Sequence, residues 1–532
     1  MKKYLATLFV GVCSLFGTFQ SFASSNESEF IRLKIENRDY TAIHSFGIKL
    51  RTQETTAKFY RARGFSLAWT KPSRDILINT LKACTSEGLS EEDYHLRGLE
   101  KALTINSPSS DQKADLDLLL TDAFLIYSSH MLSGKVNPVT VDAEWKVNRR
   151  EGNPLELIQK GTETGDFMSI FRLLNAEHPE YEQLKKALSN YSKLRDVEWQ
   201  EIQGGPTIKM NMKDERLNSI RKRLELLGDL SSGKTQQTEL LDSSLANAVK
   251  SFQLRHGLDP DGNIGAQTLA NLNVSPKIRI EQIRVNLERL RWLPRDYGDY
   301  YLMVRITKFE LEIVRNNKII RRHKIIVGKP ARKTPVFSAQ VQYLVFNPTW
   351  TVPPTILNAD VIPGIRKDPS YLEKKKLTVL DKSGKALNTN DIDWSSDAVR
   401  GYTYRQSAGS ENALGAVKFI FPNDYHIYLH DTPAKELFAQ NERAFSSGCI
   451  RVESPIALAE FLLNDPVNWN AAKINSVVQG NTTQTVNLKE KPQVHMRYST
   501  AWVDAEGTLQ FRKDIYKRDG KVLLELDRIV AP

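Results

Sequence analysis

The sequence predicts a multidomain α+β protein. A mainly helical first part is followed by a three-helix module and a mainly β, sandwich-like C-terminal domain with an inserted lid. Three observations predict it. Helical apolar spacing dominates to about residue 200, and two amphipathic stripes then flank a turn-rich connection at 252–265. Beyond about residue 298 the rhythm changes to short, partly alternating apolar runs bounded by turn signals. The 532-residue length exceeds what one core fills, at about 100–200 residues per domain. With 40% apolar and 26% charged residues the composition is that of a folded chain.

The first element is a targeting segment. Lys2 and Lys3 precede an apolar run from Leu5 to Phe16, and Ser21-Phe22-Ala23 offers small residues for cleavage after Ala23, the anatomy of a secretory signal peptide. The run is short for a membrane span. Left uncleaved, it would give a weak membrane association. Cleavage removes two lysines and no acid, taking the net charge from +11 to +9. A basic exported chain is drawn to anionic polymers such as peptidoglycan, teichoic acid or phospholipid, and export argues against nucleic acid.

Residues 24–205 read as a mainly helical scaffold. Thr121–Leu132 carries apolar residues at helical spacing, punctuated by Gly134, Pro138 and Pro154. His95 and His130 have no second ligand at metal spacing and read as structural; no metal or cofactor is expected anywhere in the chain. Cys84, within a helical stretch, reads as a core thiol.

Residues 206–275 form the small module. Leu217, Ile220, Leu224 and Leu227 make one stripe; Leu245, Ala248, Val249 and Phe252 make another; a short helix follows through Thr268, Leu269 and Leu272. A helical spacer that binds nothing would share this pattern. A helix and linker at 276–297 lead into the β domain at 298–482. Its strands are expected over Tyr301–Ile306, Phe309–Val314, Ile319–Val327, Val341–Phe346, Val417–Phe421 and His426–Leu429, with Asn316-Asn317 as a hairpin turn. Between about 354 and 404 the rhythm stops in a polar segment containing Lys374, Lys375 and Lys376, read as a lid or surface excursion. Residues 483–532 read as a C-terminal extension with strand-like pieces at Ala501–Val503 and Thr508–Phe511.

The chemistry concentrates in His430-Asp-Thr-Pro433 and Phe445-Ser-Ser-Gly-Cys-Ile-Arg-Val452. After cleavage only Cys84 and Cys449 remain, and exported chains usually pair or avoid cysteine. Packing gives no reason for a thiol in the Ser-Gly loop. A neighbouring imidazole and a positive environment make a cysteine a nucleophile by favouring its thiolate, so Cys449 is the candidate nucleophile and His430 its general base and acid. The run Tyr425–His430 is read as a strand that puts His426 and Tyr428 on the face of His430; Tyr428 either walls the site or is one more half-buried aromatic. Gly448 allows a tight backbone path beside Ser447, whose loop N–H groups are candidates for an oxyanion site. Arg451 stabilises the thiolate, holds a substrate carboxylate or braces the loop. Asp431 or a backbone carbonyl orients His430.

These runs resemble known families. Ala248-Val-Lys-x-Phe-Gln through Asp261-Gly-x-Ile-Gly-x-x-Thr-Leu269 is similar to the three-helix peptidoglycan-binding module. His430 followed by Ser446-Ser-Gly-Cys-Ile-Arg451 resembles the L,D-transpeptidase motif, supported by Asn347–Pro353, Leu414–Phe419 and Ile427–Pro433. The domain order resembles the large periplasmic L,D-transpeptidases of Gram-negative bacteria, apart from Asp431 where many members have Gly and Glu453 where many have Asn or Asp. The resemblance implies a periplasmic enzyme of cell-wall biogenesis. Its tetrapeptide stem donor would acylate Cys449 at diaminopimelate and release D-alanine. A diaminopimelate acceptor would then complete a 3→3 cross-link, and carbapenems would acylate the same thiol. Water as acceptor would make an L,D-carboxypeptidase, and a protein lysine would attach that protein to the wall. A wall-binding scaffold without chemistry is the non-enzymatic alternative.

Overall fold

The computed structural model describes residues 26–36, 42–174, 179–231 and 239–529. The signal segment 1–23 lies outside them. Among the described residues no helix is long and apolar enough to cross a membrane.

The scaffold is built around one long helix, Ser110–Ser133, opened by a capping box between Ser109 and Gln112. It is buried nearly all round, with Asp115, Asp117 and Asp122 buried among its apolar residues, and helices Asn26–Glu36, Gln53–Ala62, Lys71–Lys82, Pro154–Thr164 and Phe167–Leu174 pack on it. Cys84 is fully buried here and unpaired, its thiol pushed up to about 12 by burial. His95 bonds Asp122 at 2.8 Å and His130 bonds the Tyr94 hydroxyl at 3.0 Å, both structural contacts.

Helix Pro276–Trp292 is a spine. It packs against Pro179–Ser192, Ser110–Ser133 and the last helix, Asp519–Asp527. Arg291 ion-pairs with Glu288 at 2.7 Å, Arg289 reaches Asp519 at 2.6 Å, and Asn286 donates to Thr500 Oγ1 at 2.7 Å. Scaffold and β domain accordingly share one continuous hydrophobic core.

Among the described residues eleven strands form the main sheet: β1 Tyr300–Arg305, β2 Glu310–Arg315, β3 Lys318–Gly328, β4 Ser338–Gln340, β5 Tyr343–Phe346, β6 Val417–Ile420, β7 Leu429–His430, β8 Ala444–Ser446, β9 Ile450–Val452, β10 Gln484–Asn487 and β11 Gln493–Arg497. The order is β10-β5-β6-β7-β9-β3-β2-β1-β11-β4, with β8 beside β3. The long β3 pairs with β2 through Lys324 and then turns to β9 and β8 at Ile325–Gly328, passing from one half of the sheet to the other. Curling of this kind is how so long a path closes on a core. Asn316 and Asn317 both have positive φ, 50° and 60°, as the β2–β3 hairpin requires.

The C-terminal residues differ from the reading as an extension. β10 adds an edge strand beside β5, and β11 runs parallel to β1 and antiparallel to β4. Such pairings across more than 130 residues leave no local signal. The polar segment after Pro354 is a folded subdomain: Val352, Leu357, Ile362, Leu372, Val379 and Tyr404 belong to its own core, beneath a three-stranded sheet of Trp350–Thr351, Thr403–Gln406 and Thr378–Leu380. The three-helix module, Arg216–Leu226, Ser243–Arg255 and Ala266–Leu272, also has its own core. It is fastened to the rest by Arg512, which donates to the Arg255 carbonyl at 3.0 Å, and by His256 stacked on Phe511.

Candidate active site

The site lies on β6, β7 and β9, and strand alternation decides which side chains reach it. Val417, Phe419, Leu429, Ile450 and Val452 face the core. The alternate residues lie on the opposite face: Lys418 pairs in register with His430, and His430 with Arg451. Tyr428 shares this face, its ring centroid 5.6 Å from that of His430. Cys449 directly precedes β9, in step with Arg451. The structure thus brings Tyr428, His430, Cys449 and Arg451 together.

The loop carrying Cys449 is held from several directions. Gly448 has φ +117°, a conformation that side chains rarely adopt. Its N–H donates to Ser446 Oγ at 3.1 Å, and Ser446 in turn donates to the Cys449 carbonyl at 2.5 Å. The Gly448 carbonyl accepts from Thr334 Oγ1 at 2.8 Å. Thr334 Oγ1 also accepts from Gly328 N–H at 2.9 Å. Tyr516, near the C-terminus, completes the brace by donating to the Gly328 carbonyl at 2.7 Å and accepting from Thr334 N–H at 3.1 Å. A Cβ on Gly328 would lie 2.1 Å from the Arg332 carbonyl oxygen, so only glycine fits there. Ser447 is exposed, and its hydroxyl accepts from Arg332 at 2.9 Å. Arg332 simultaneously grips Asp360 of the lid, at 2.5 and 2.8 Å.

His430 is buried, and its Nδ1 lies 2.5 Å from the Asp431 carbonyl. The backbone carbonyl therefore fixes the tautomer with a proton on Nδ1, leaving Nε2 free to accept one. The Asp431 carboxylate works elsewhere. It accepts from Ala416 N–H at 2.8 Å and Thr432 N–H at 2.7 Å, and pairs with Lys435. Burial, then the nearby Arg451, holds the His430 imidazole down to about 3, so it is neutral. Burial pushes the Cys449 thiol up, with Tyr428, Lys418 and Arg451 pulling the other way. Burial thus outweighs the positive surroundings that the sequence reading relied on, and the resting pair is neutral thiol and neutral imidazole. No hydrogen bond joins the two among the described residues; Cys449 Sγ donates to the His426 carbonyl at 3.6 Å.

Two local expectations need correction. The strand read over Tyr425–His430 begins only at Leu429, and His426 has φ +55° and does not join the site face. The cause is Asn423, whose Oδ1 accepts from Tyr425 N–H and Ile427 N–H and folds this stretch into a turn. Gly448 does not supply an oxyanion N–H, since that group is bonded to Ser446. Among the described residues the N–H groups of Ser447 and Cys449 are left uncommitted. Lys418, Thr334, Arg332 and Tyr516 also belong to the site, and the last three stand in no motif of the chain. Lys418 alone had a signal, a lysine alternating with Val417 and Phe419 in an apolar strand. Among the described residues no group of three or more His, Cys, Asp or Glu is arranged to hold a metal ion.

Comparison with known proteins supplies a family context. Residues 54–188 match the family described as "Scaffold domain", residues 213–272 that described as "Putative peptidoglycan binding domain", and residues 299–478 that described as "L,D-transpeptidase catalytic domain". A curated Haemophilus influenzae protein named "Putative L,D-transpeptidase" is 34% identical over 245 residues, which is 46% of this chain and 49% of that protein. The chain thus spans about half the length of the curated relative it matches. Among solved structures, an L,D-transpeptidase from Stackebrandtia nassauensis is 12% identical, covering 54% of this chain and 94% of its own, with a TM-score of 0.22. One from Mycobacterium smegmatis is 13% identical over 37% of this chain and 58% of its own, with a TM-score of 0.19.

Proposed function

We propose that this chain, whose residues 299–478 form an L,D-transpeptidase catalytic domain, is a periplasmic enzyme that cross-links peptidoglycan through a thioester on Cys449. One observation supports the reading above the others. Cys449 follows a left-handed Gly448 at the head of β9, on the sheet face that carries Tyr428, His430 and Arg451.

Neutral His430 takes the thiol proton at Nε2 as Cys449 sulfur attacks the diaminopimelate carbonyl of a tetrapeptide stem. The Cys449 N–H, left uncommitted, stabilises the oxyanion. The bond to D-alanine breaks, His430 returns the proton to the leaving amine, and a thioester remains. The side-chain amine of diaminopimelate on a second stem attacks the thioester and yields its proton to His430. The sulfur leaves and recovers that proton, giving a 3→3 cross-link. Carbapenems would acylate the same sulfur by opening their lactam ring. The lid tied to Ser447 through Arg332 and Asp360 limits water at the thioester, which favours an amine acceptor over hydrolysis. The 213–272 module holds the enzyme on the wall, so its deletion should weaken co-sedimentation with insoluble sacculi.

The test is incubation with purified tetrapeptide muropeptides followed by mass spectrometry. A dimer lacking one D-alanine per cross-link is expected, and Cys449→Ala should abolish it. Monomeric tripeptide alone would make the chain an L,D-carboxypeptidase. Undiminished dimer from Cys449→Ala would overturn the mechanism. An intact wild-type chain that binds sacculi but transforms no stem peptide would be a wall-binding scaffold.

A further inference from the structure

Many of the buried or half-buried cations in this protein are paired. Lys135 meets Asp93 at 2.7 Å, Arg305 meets Glu312 at 2.6 Å, and Arg255 meets Asp229 at 2.5 Å. The reason is general: a buried charge without a counter-charge is costly. The face of β6, β7 and β9 carries two half-buried cations with no ion pair among the described residues.

Lys418 stands in register with His430 from β6, and Arg451 stands in register with it from β9. Both are half-buried. Lys418 makes no hydrogen bond or ion pair among the described residues; its ammonium lies over the Tyr428 ring, 4.1 Å from the centroid. Arg451 likewise has no ion pair among the described residues, and its Nε is buried with no hydrogen-bond partner. Adjacent strands are about 4.8 Å apart, so the two cations bracket the imidazole at a backbone separation of roughly 10 Å. The row Lys418–His430–Arg451 is therefore a cationic cradle beside Cys449 that lacks its anion.

We propose that Lys418, together with Arg451, binds a carboxylate of the donor stem peptide next to the bond that is broken, which makes Lys418 a specificity-determining residue. This rests on the transpeptidase reading above. A donor ending in diaminopimelate and D-alanine has two such carboxylates, that of the terminal D-alanine and that on the diaminopimelate side chain. Either satisfies the unpaired ammonium and the orphaned guanidinium N–H by charge-assisted bonds. Arg451 supplies the planar fork and Lys418 the point charge. The Tyr428 ring beneath Lys418 holds the ammonium in place until the carboxylate arrives.

The experiment uses the full chain, wild type and the variants Lys418→Met and Lys418→Arg, with three tetrapeptide stems: one with both carboxylates free, one with the D-alanine carboxyl amidated, and one with the diaminopimelate side-chain carboxyl amidated. Acyl-enzyme formation is followed by intact-protein mass spectrometry, and D-alanine or D-alaninamide release gives KM and kcat. For the free stem, Lys418→Met should raise KM about 10- to 100-fold, the range for losing a charged hydrogen bond, with kcat changed much less. Lys418→Arg should restore most of it. Wild type should suffer the same loss with one of the two amidated stems, and Lys418→Met should add no further loss with that stem. The amide that silences the variant identifies the carboxylate. A Lys418→Met penalty equal for all three stems would make Lys418 merely structural and overturn the proposal, as would an unchanged KM. If the wild type acylates with none of the stems, the transpeptidase reading fails and this proposal falls with it; acylation without a Lys418 effect refutes this proposal alone.

Discussion

Replacing Thr334 by valine should loosen the nucleophile loop by removing one buried hydroxyl. Thr334 is fully buried, and its Oγ1 donates to the Gly448 carbonyl at 2.8 Å while accepting from Gly328 N–H at 2.9 Å. Valine keeps the shape and deletes both bonds, so no cavity arises and the loss is polar. Each buried group left unpaired costs about 1–3 kcal/mol. Relaxation of the loop, whose Ser447 is already exposed, recovers part of this, and about 2–4 kcal/mol should remain. For a domain of this size roughly 2–4 °C of melting temperature accompanies each kcal/mol, so the β domain should melt roughly 5–15 °C lower. Gly448 sits at φ +117° with its carbonyl held by Thr334. Freed, it should let Cys449 drift, and acylation by a carbapenem, followed by intact mass, should slow more than tenfold. Thr334→Ser keeps the hydroxyl and should lie near wild type in both measurements. A valine variant that melts within about 1 °C of wild type and acylates at the same rate would refute the claim that Thr334 positions the nucleophile.

Two further outcomes are expected. Asp360→Asn releases Arg332 from the lid; the pair is partly exposed, with side-chain accessibilities of 17% for Arg332 and 41% for Asp360, so the stability should change by less than about 1 kcal/mol. Hydrogen exchange across 354–404 should nevertheless accelerate, and unchanged exchange would mean that Arg332 does not tether the lid. His430 is held down to about 3, below its unfolded value of about 6.5. A depressed folded value means that the folded chain keeps His430 neutral while the unfolded chain takes up a proton below about pH 6.5, so this stability is present above that pH and is lost as the pH falls toward 3. His430→Asn should therefore flatten the acid limb of stability against pH by about 1.4 kcal/mol per unit between 6.5 and 4.5, read from denaturant midpoints; identical slopes would contradict a neutral buried imidazole.

How much of this architecture is legible in sequence follows from which interactions are local. The helix Ser110–Ser133 announces itself through apolar spacing, and the β2–β3 hairpin through Asn316-Asn317. The module's two stripes and the thiol in the Ser-Gly loop are equally local. β11 shows the opposite case. His495 faces Met303 on one side and Ser338 on the other, and nothing within residues 493–497 names either partner. The lid was legible as an interruption but not as a domain. Its core brings Val352 and Leu357 to Tyr404 across an intervening run of lysines, and low apolar density hides a core that small.

The site divides the same way, and the division has a physical cause. Chemistry demands particular side chains, so Cys449, His430 and Arg451 stand out by type. Positioning demands only a donor or an acceptor at the right point, which almost any polar residue supplies. Thr334 lies 114 positions before Gly448, and Tyr516 lies 188 positions after Gly328, yet their hydroxyls hold the backbone on which Cys449 stands. The orientation of His430 makes the same point at short range. Asp431 has the side chain expected of an orienting group, but its carboxylate is committed to Ala416, Thr432 and Lys435, and its carbonyl oxygen meets the ring. A backbone carbonyl is present at every position and marks none. Residue type therefore reveals which groups react, and only register reveals what holds them. Lys418 falls between the two: its charge is visible in the chain, and its relevance appears only when β6 sets it opposite His430 with no anion to answer it.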